Sequence, residues 1–272
     1  MSVYRQILIP VREPPAVEPL IRFAAMLLEP DGEIRVLHVI PTTTLPQVTR
    51  EWRESVNLVI PAHEAGAALD VRVDPEVRAS TDVPGEILES AEAHGVDAIL
   101  MTLGGDRRSR NPFVGHTASG ILHHAHADVL IVNRLALGAG KLPRILVPSF
   151  RSTPLPRAMQ VAEEIAMRND GAAVTTLSLG PRAHVGSPDA GPDREEHTAR
   201  GVPVTHKRAA LSGSLIRRSR LPAIILQAAQ RERFGLLLVS EEGDQAGGAL
   251  LTRRFLEELF RAAPCPVLAL RS

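Results

Sequence analysis

Residues 98–105 read AILMTLGG, and residues 236–243 read LLLVSEEG. In each, an unbroken apolar run ends on a hydroxyl residue and, within a few positions, on glycine. Consecutive apolar residues suit a parallel strand covered on both faces. The two stretches lie 138 residues apart, and the same offset recurs elsewhere: ILIP at 7–10 returns as ILVP at 145–148, and AHADVLIV from Ala125 returns as APCPVLAL from Ala263. MLLEPDGEIRVLHVIP (26–41) is echoed by MRNDGAAVTTLSLGP (167–181) at offsets of 139 to 141, as small insertions between copies would produce. Four matches in the same order indicate a duplicated chain. The glycine-rich stretch LALGAGKLP (135–143) marks the junction, giving expected domains at 1–138 and 139–272.

Within the first copy, strands are expected at 6–11, 33–40, 71–78, 97–102 and 128–133. Apolar residues at helical spacing fill 19–28 and 85–95, with Gly95 at a C-cap position. The second copy follows with strands in RILVP, AVTTLSL, VPVTHKRAAL, GLLLVS and PVLAL, and helices near 156–168, 222–233 and 252–262. Strand–helix alternation of this kind predicts two tandem, doubly wound α/β units, each a mostly parallel five-stranded sheet. Residues 180–201 read as a loop with at most a short helix.

Composition narrows the function. Apolar residues are 44% of the chain, enough for a proper core, and 31 Lys+Arg balance 31 Asp+Glu. No global basic field exists to gather nucleic acid or an acidic membrane. One Trp and one Tyr leave little for stacking single-stranded bases. A lone cysteine fits a reducing compartment, and no apolar run approaches the roughly 18 residues a membrane helix needs, so a cytoplasmic protein is expected.

A repeated five-stranded α/β unit with a glycine loop after its fourth strand resembles the universal stress protein family, whose members often occur as tandem copies. The resemblance rests on ILIPV at the start, the fourth strand with its loop TLGGDRRSRNPFVGHTASG (102–120), and APCPVLAL at the end. It implies a flavodoxin-like fold, a regulatory stress-response role without catalysed turnover, and adenine-nucleotide binding in those members whose loop reads G-x2-G-x9-G-[S/T]. Counting back from Ala125 puts Gly115 at the third glycine, Gly105 at the second and Thr102 at the first. His116 follows Gly115, so the hydroxyl is shifted by one residue to Thr117. The second copy departs further, with Arg253 and Arg254 where Gly-Ser would stand, Gly243 at the second position and Ser240 at the first. The family's acidic contact after strand one falls on Arg12 in the first copy and Phe150 in the second, neither of which can accept a hydrogen bond through its side chain. The aliphatic contact of strand two falls on Val39 and Leu179, and Met101 matches at the end of strand four.

The expected site is therefore in the first copy: Pro10, Arg12, Val39, Met101, Thr102, Gly104, Gly105, Gly115, His116 and Thr117. Gly104 and Gly105 permit close backbone approach, the first N–H groups of the following helix face the same place, and Arg107, Arg108 and Arg110 add positive charge. ATP or another adenine nucleotide is the candidate ligand, in this copy only. The plainer reading takes the glycines as turn punctuation and the arginines as a solvated face. Three other constellations carry less. Of His116, His123, His124 and His126, His123 and His126 lie three apart and could share a metal, but no acidic or cysteine partner is near beyond Asp128, so no metal site is assigned. Cys265 lies in an apolar strand and reads as core, while LIRRSR (215–220) reads as a solvated basic loop. No catalytic residue is assigned, and weak ATP hydrolysis stays open as a lesser alternative. Expected partners are an adenine nucleotide, the chain itself through a pseudo-dimer seam between DVLIV and PVLAL with further homodimerisation open, and an unidentified protein; nucleic acid and membrane insertion are not expected. A second reading, of a different class, is a nucleotide-independent protein–protein regulatory module such as the partner of a transporter.

Overall fold

A computed structural model of the chain describes residues 4–42, 44–102, 116–133, 142, 144–149, 155–170, 172–179, 194–199, 201–208, 220–241 and 252–271. The chain divides into two compact units that change over between Val132 and Asn133. The junction expected at 138/139 lies outside the described residues.

The first unit runs β1 (Tyr4–Pro10), α1 (Val17–Ala25), β2 (Leu28–Ile40), α2 (Leu45–Leu69), β3 (Arg72–Ala79), α3 (Val83–Ala93), β4 (Ala98–Thr102), α4 (His116–His124) and β5 (Asp128–Val132). Its strands are ordered β3-β2-β1-β4-β5 and every pairing is parallel. The central pair sets Ile7 beside Ala98 and Leu8 beside Ile99, all fully buried. That is why these strands are apolar on consecutive residues: helices cover both faces, so neither side of the pleat meets water. Tyr4 anchors the bottom of the sheet, its hydroxyl donating to Asp128 Oδ2 at 2.9 Å. Asp97 Oδ2 accepts from the N–H groups of Arg5 and Gln6 at 2.7 and 2.8 Å, satisfying backbone donors at the start of β1.

Local chemistry sets the helix ends. Asp82 caps α3, its side chain accepting from the Gly85 N–H at 3.1 Å, and Gly95 just past the end adopts φ 59 as a left-handed stop. α2, a helix of 25 residues, had no counterpart in the sequence reading. Among its described side chains it buries only Ser55, Leu58, Ala62, Ala65 and Gly66, while Leu45, Trp52, Val56 and Ile60 are exposed. Its apolar residues therefore do not gather on one face, and the usual amphipathic signal is blurred. Pro61 inside it weakens the signal again.

The second unit runs β6 (Arg144–Ser149), α5 (Pro156–Met167), β7 (Ala173–Ser178), β8 (Arg194–Ala199), β9 (Val202–Arg208), α6 (Leu221–Arg231), β10 (Leu236–Glu241), α7 (Arg253–Ala262) and β11 (Val267–Arg271). Its order is β11-β10-β6-β7-β9-β8, with β8 antiparallel to β9. This corrects two expectations. Among the described residues the sheet has six strands rather than five, and residues 194–199, expected as loop, form the added edge strand. REEHTA carries no apolar run to announce a strand; its place comes from backbone pairing to β9, where Ala199 faces Val202 and Gly201 turns the chain at φ 81. Val202 and Val204 alternate into the core from β9, which holds the hairpin against the sheet.

Candidate functional site at the carboxyl ends of the first sheet

Chain order reverses between β1 and β4, because β1, β2 and β3 progress to one side and β4 and β5 to the other. The carboxyl ends of β1 and β4 therefore form the switch point, where open parallel sheets hold ligands. The pairing registers give the heights of the candidate residues. Leu8 pairs with Ile99 and Pro10 with Leu37, so Pro10, Leu37 and Met101 stand level across three adjacent strands. Val39 lies two residues above Leu37 in β2, and Arg12 and Thr102 lie just beyond β1 and at the last position of β4. Val39 and Met101 are buried, Pro10 and Thr102 half-buried and Arg12 exposed. At the same end of the sheet, α4 begins at His116, which is exposed, with Thr117 half-buried behind it. Seven of the ten expected residues thus come from four separate stretches to one end of one sheet. Gly104, Gly105 and Gly115, with Arg107, Arg108 and Arg110, lie outside the described residues.

Two residues that the sequence reading passed over shape this end. His38 Nδ1 donates to the Val11 carbonyl at 3.0 Å, while the Val11 N–H donates to the Leu37 carbonyl at 2.9 Å. The backbone immediately before Arg12 is fixed from both sides. Arg78 pairs in register with Val39 and is gripped by two carboxylates, Glu76 Oε1 at 2.6 Å and Glu86 Oε1 at 2.9 Å. These hydrogen bonds, Glu76 first and Glu86 next, hold the guanidinium's pKa above its usual value. Glu86 lies in the first turn of α3, so the pair also ties that helix to the sheet. Neither residue belongs to a recognisable motif; what could have marked Arg78 is the alternation Glu76-Val77-Arg78 on a strand, which places both charges on one face.

The helix that opens this end is braced from below. A Cβ on Gly120 of α4 would stand 3.2 Å from Pro84 Cβ, so α4 lies close against the first turn of α3. Ala118, Ile121 and Leu122 supply the buried face of α4.

The second unit differs at the matching place. Pro148 ends the core of β6, Leu179 is buried, and Ser240 is buried near the end of β10. Phe150 and Gly243 lie outside the described residues. Where α4 starts beside a glycine in the sequence, α7 starts at Arg253, and the Thr252 side chain accepts from the Phe255 N–H at 3.3 Å. The helix end that would face a phosphate is therefore already capped by its own chain. Cys265 is buried, and burial pushes its thiol up to about 11, which suits core packing rather than nucleophilic chemistry. Among the described residues no group of His, Cys, Asp and Glu is arranged to hold a metal ion, and no described helix is long and apolar enough to cross a membrane.

Comparison with known proteins matches this geometry to a family. The model of the universal stress protein family matches residues 3–133. No curated protein matches the chain. Among solved structures, a universal stress protein from Archaeoglobus fulgidus DSM 4304 is 17% identical with a TM-score of 0.64, over 98% of this chain and 96% of that one. A functionally unknown protein from Pseudomonas aeruginosa PAO1 is 14% identical with a TM-score of 0.59, over 98% and 92%. The cytoplasmic domain of a prokaryotic cation chloride cotransporter is 10% identical with a TM-score of 0.56, over 99% and 95%. At these identities the likeness is one of fold, and it runs the length of the chain. Residues 3–133, the first unit with its switch point, belong to the universal stress protein family.

Proposed function

We propose that the chain is a regulatory binding protein whose first unit takes an adenine nucleotide, ATP being the first candidate, and whose second unit takes none. The observation that carries this reading is the difference between two matching helix starts. α4 opens at His116, directly after Gly115 in the sequence, whereas α7 opens on Arg253 with the Phe255 N–H already taken by Thr252. Free N–H groups at a helix start favour an anion, and a side-chain cap removes one of them. In this reading Val39 and Met101 supply the apolar wall and Thr102, His116 and Thr117 the polar rim. The protein acts by binding, without catalysed turnover.

One observation favours a second reading. Arg12 stands exposed after β1, where an adenine would want an acceptor, and the backbone leading to it is already held by His38. With donors at that point, the unit would serve as a nucleotide-independent regulatory module, as a fold shared with the cytoplasmic domain of a cotransporter would allow. Thermal unfolding separates the two. A ligand that binds only the folded state must raise the melting temperature. Millimolar ATP with magnesium is expected to raise it, and Gly115→Arg, which copies the second unit, is expected to abolish the rise. No shift with any adenine nucleotide transfers the case to the regulatory module; a shift that survives Gly115→Arg shows that the ligand sits elsewhere.

A further inference from the structure

The outward face of α2 has no role in the fold of its unit or in the candidate site. Leu45 is 79% exposed, Trp52 52%, Val56 51% and Ile60 52%, and these are the exposed large apolar side chains among the described residues. Their spacings of 7, 4 and 4 residues return each to one face of a helix. The face that packs on the sheet is a different one, formed by Ser55, Leu58, Ala62 and Ala65. α2 thus carries two apolar stripes, one inward and one outward. Single exposed apolar residues need no explanation, but four in line along one helix of about 37 Å mark an interaction surface.

We infer that this stripe pairs with the same stripe of a second copy, α2 against α2 in antiparallel fashion. The charges flanking it favour that occupant. Arg53 and Glu64 are both exposed and lie 11 residues apart on one border of the stripe. In an antiparallel pair, a two-fold axis midway between them sets Arg53 of each copy against Glu64 of the other, closing two ion pairs. The midpoint of Val56 and Ile60 lies within half a residue of that axis, so each Val56 meets the other copy's Ile60, and Trp52 lies near the exposed His63. One choice of axis satisfies the apolar and the charged groups together, as a self-complementary two-fold interface requires. A lipid surface fits less well, because helices that lie on anionic membranes carry Lys and Arg around the apolar face, whereas here Glu51 and Glu64 stand among the arginines. A helix pair alone falls in the small class of interfaces, below about 1,200 Å², so the dimer is a reversible one.

Trp52 is the chain's one tryptophan, and it sits in the stripe, so its emission reports the contact directly. Sedimentation and Trp52 fluorescence of the full chain, followed from about 1 µM to about 1 mM, should show the mass rising from one chain to two as the emission moves to the blue. Ile60→Glu should move the midpoint upward by at least about tenfold, and Arg53→Glu should do so to a smaller degree. The double variant Arg53→Glu with Glu64→Arg should restore association, which a merely misfolded variant would not do. A mass of one chain throughout overturns the inference. So does a dimer that forms equally well with Ile60→Glu, which would place the contact elsewhere. So does a chain that stays monomeric but whose Trp52 emission shifts on adding vesicles of anionic phospholipid.

Discussion

At the end of β1, His38 holds the Val11 carbonyl at 3.0 Å and leaves the next residue, Arg12, exposed beside the switch point. Arg12 donates and cannot accept. Replacing it with Asp supplies an acceptor at that position, and under the nucleotide reading Arg12→Asp should tighten ATP by about tenfold, the worth of one added hydrogen bond. Isothermal titration of both proteins measures it. A second residue-scale prediction concerns Glu232, which follows α6. Burial alone would raise its pKa, but hydrogen bonds from Lys207 (2.5 Å) and Arg144 (2.9 Å) outweigh this and leave it below the usual carboxylate value. A carboxylate whose folded pKa is depressed stabilises the protein above its unfolded pKa and loses that contribution as pH falls through the folded value. Glu232→Gln should therefore lower the melting temperature at pH 7 and narrow its difference from the parent as the pH drops below about 4, read from melting curves across that range.

Among the elements, α2 shows how packing overrides propensity. Gly66 lies inside it, and alanine would ordinarily strengthen a helix by about 1 kcal/mol there. A Cβ at Gly66 would, however, stand 2.6 Å from Val73 Cγ2 and 2.8 Å from the Val71 carbonyl, so α2 crosses the start of β3 at backbone distance. Gly66→Ala should destabilise the unit by about 1–3 kcal/mol, measured by denaturant unfolding; a more stable variant would mean that the helix can lift without loss. The edge hairpin illustrates the reverse case. β8 has little apolar content of its own and exists because β9 offers a paired edge, with Val202 and Val204 holding β9 down. Strands such as β1, β4, β6 and β10 were legible because each is buried on both faces, which forces consecutive apolar residues.

For the whole molecule, duplication with divergence predicts asymmetry. If only the first unit takes a nucleotide, ATP should slow amide exchange in β1, β4 and the start of α4, while β6, β10 and α7 keep their rates. Exchange followed by mass spectrometry over the full chain tests this, and equal protection in both units would overturn the one-site reading.

The amino-acid sequence by itself determined the duplication, the parallel α/β class and most strands, because each of these follows from short-range periodicity and burial that a chain carries in its own pattern. It also showed that Arg12 and Arg253 depart from the family's pattern, since a missing acceptor or glycine is a property of one residue. The tertiary structure alone decided what depends on partners distant in sequence. It set Arg78 beside Val39 under two carboxylates, added β8 to a sheet edge and turned a second apolar stripe of α2 outward. No local pattern encodes these, because the same residues would be unremarkable until packing chose which of their faces meets protein and which meets water.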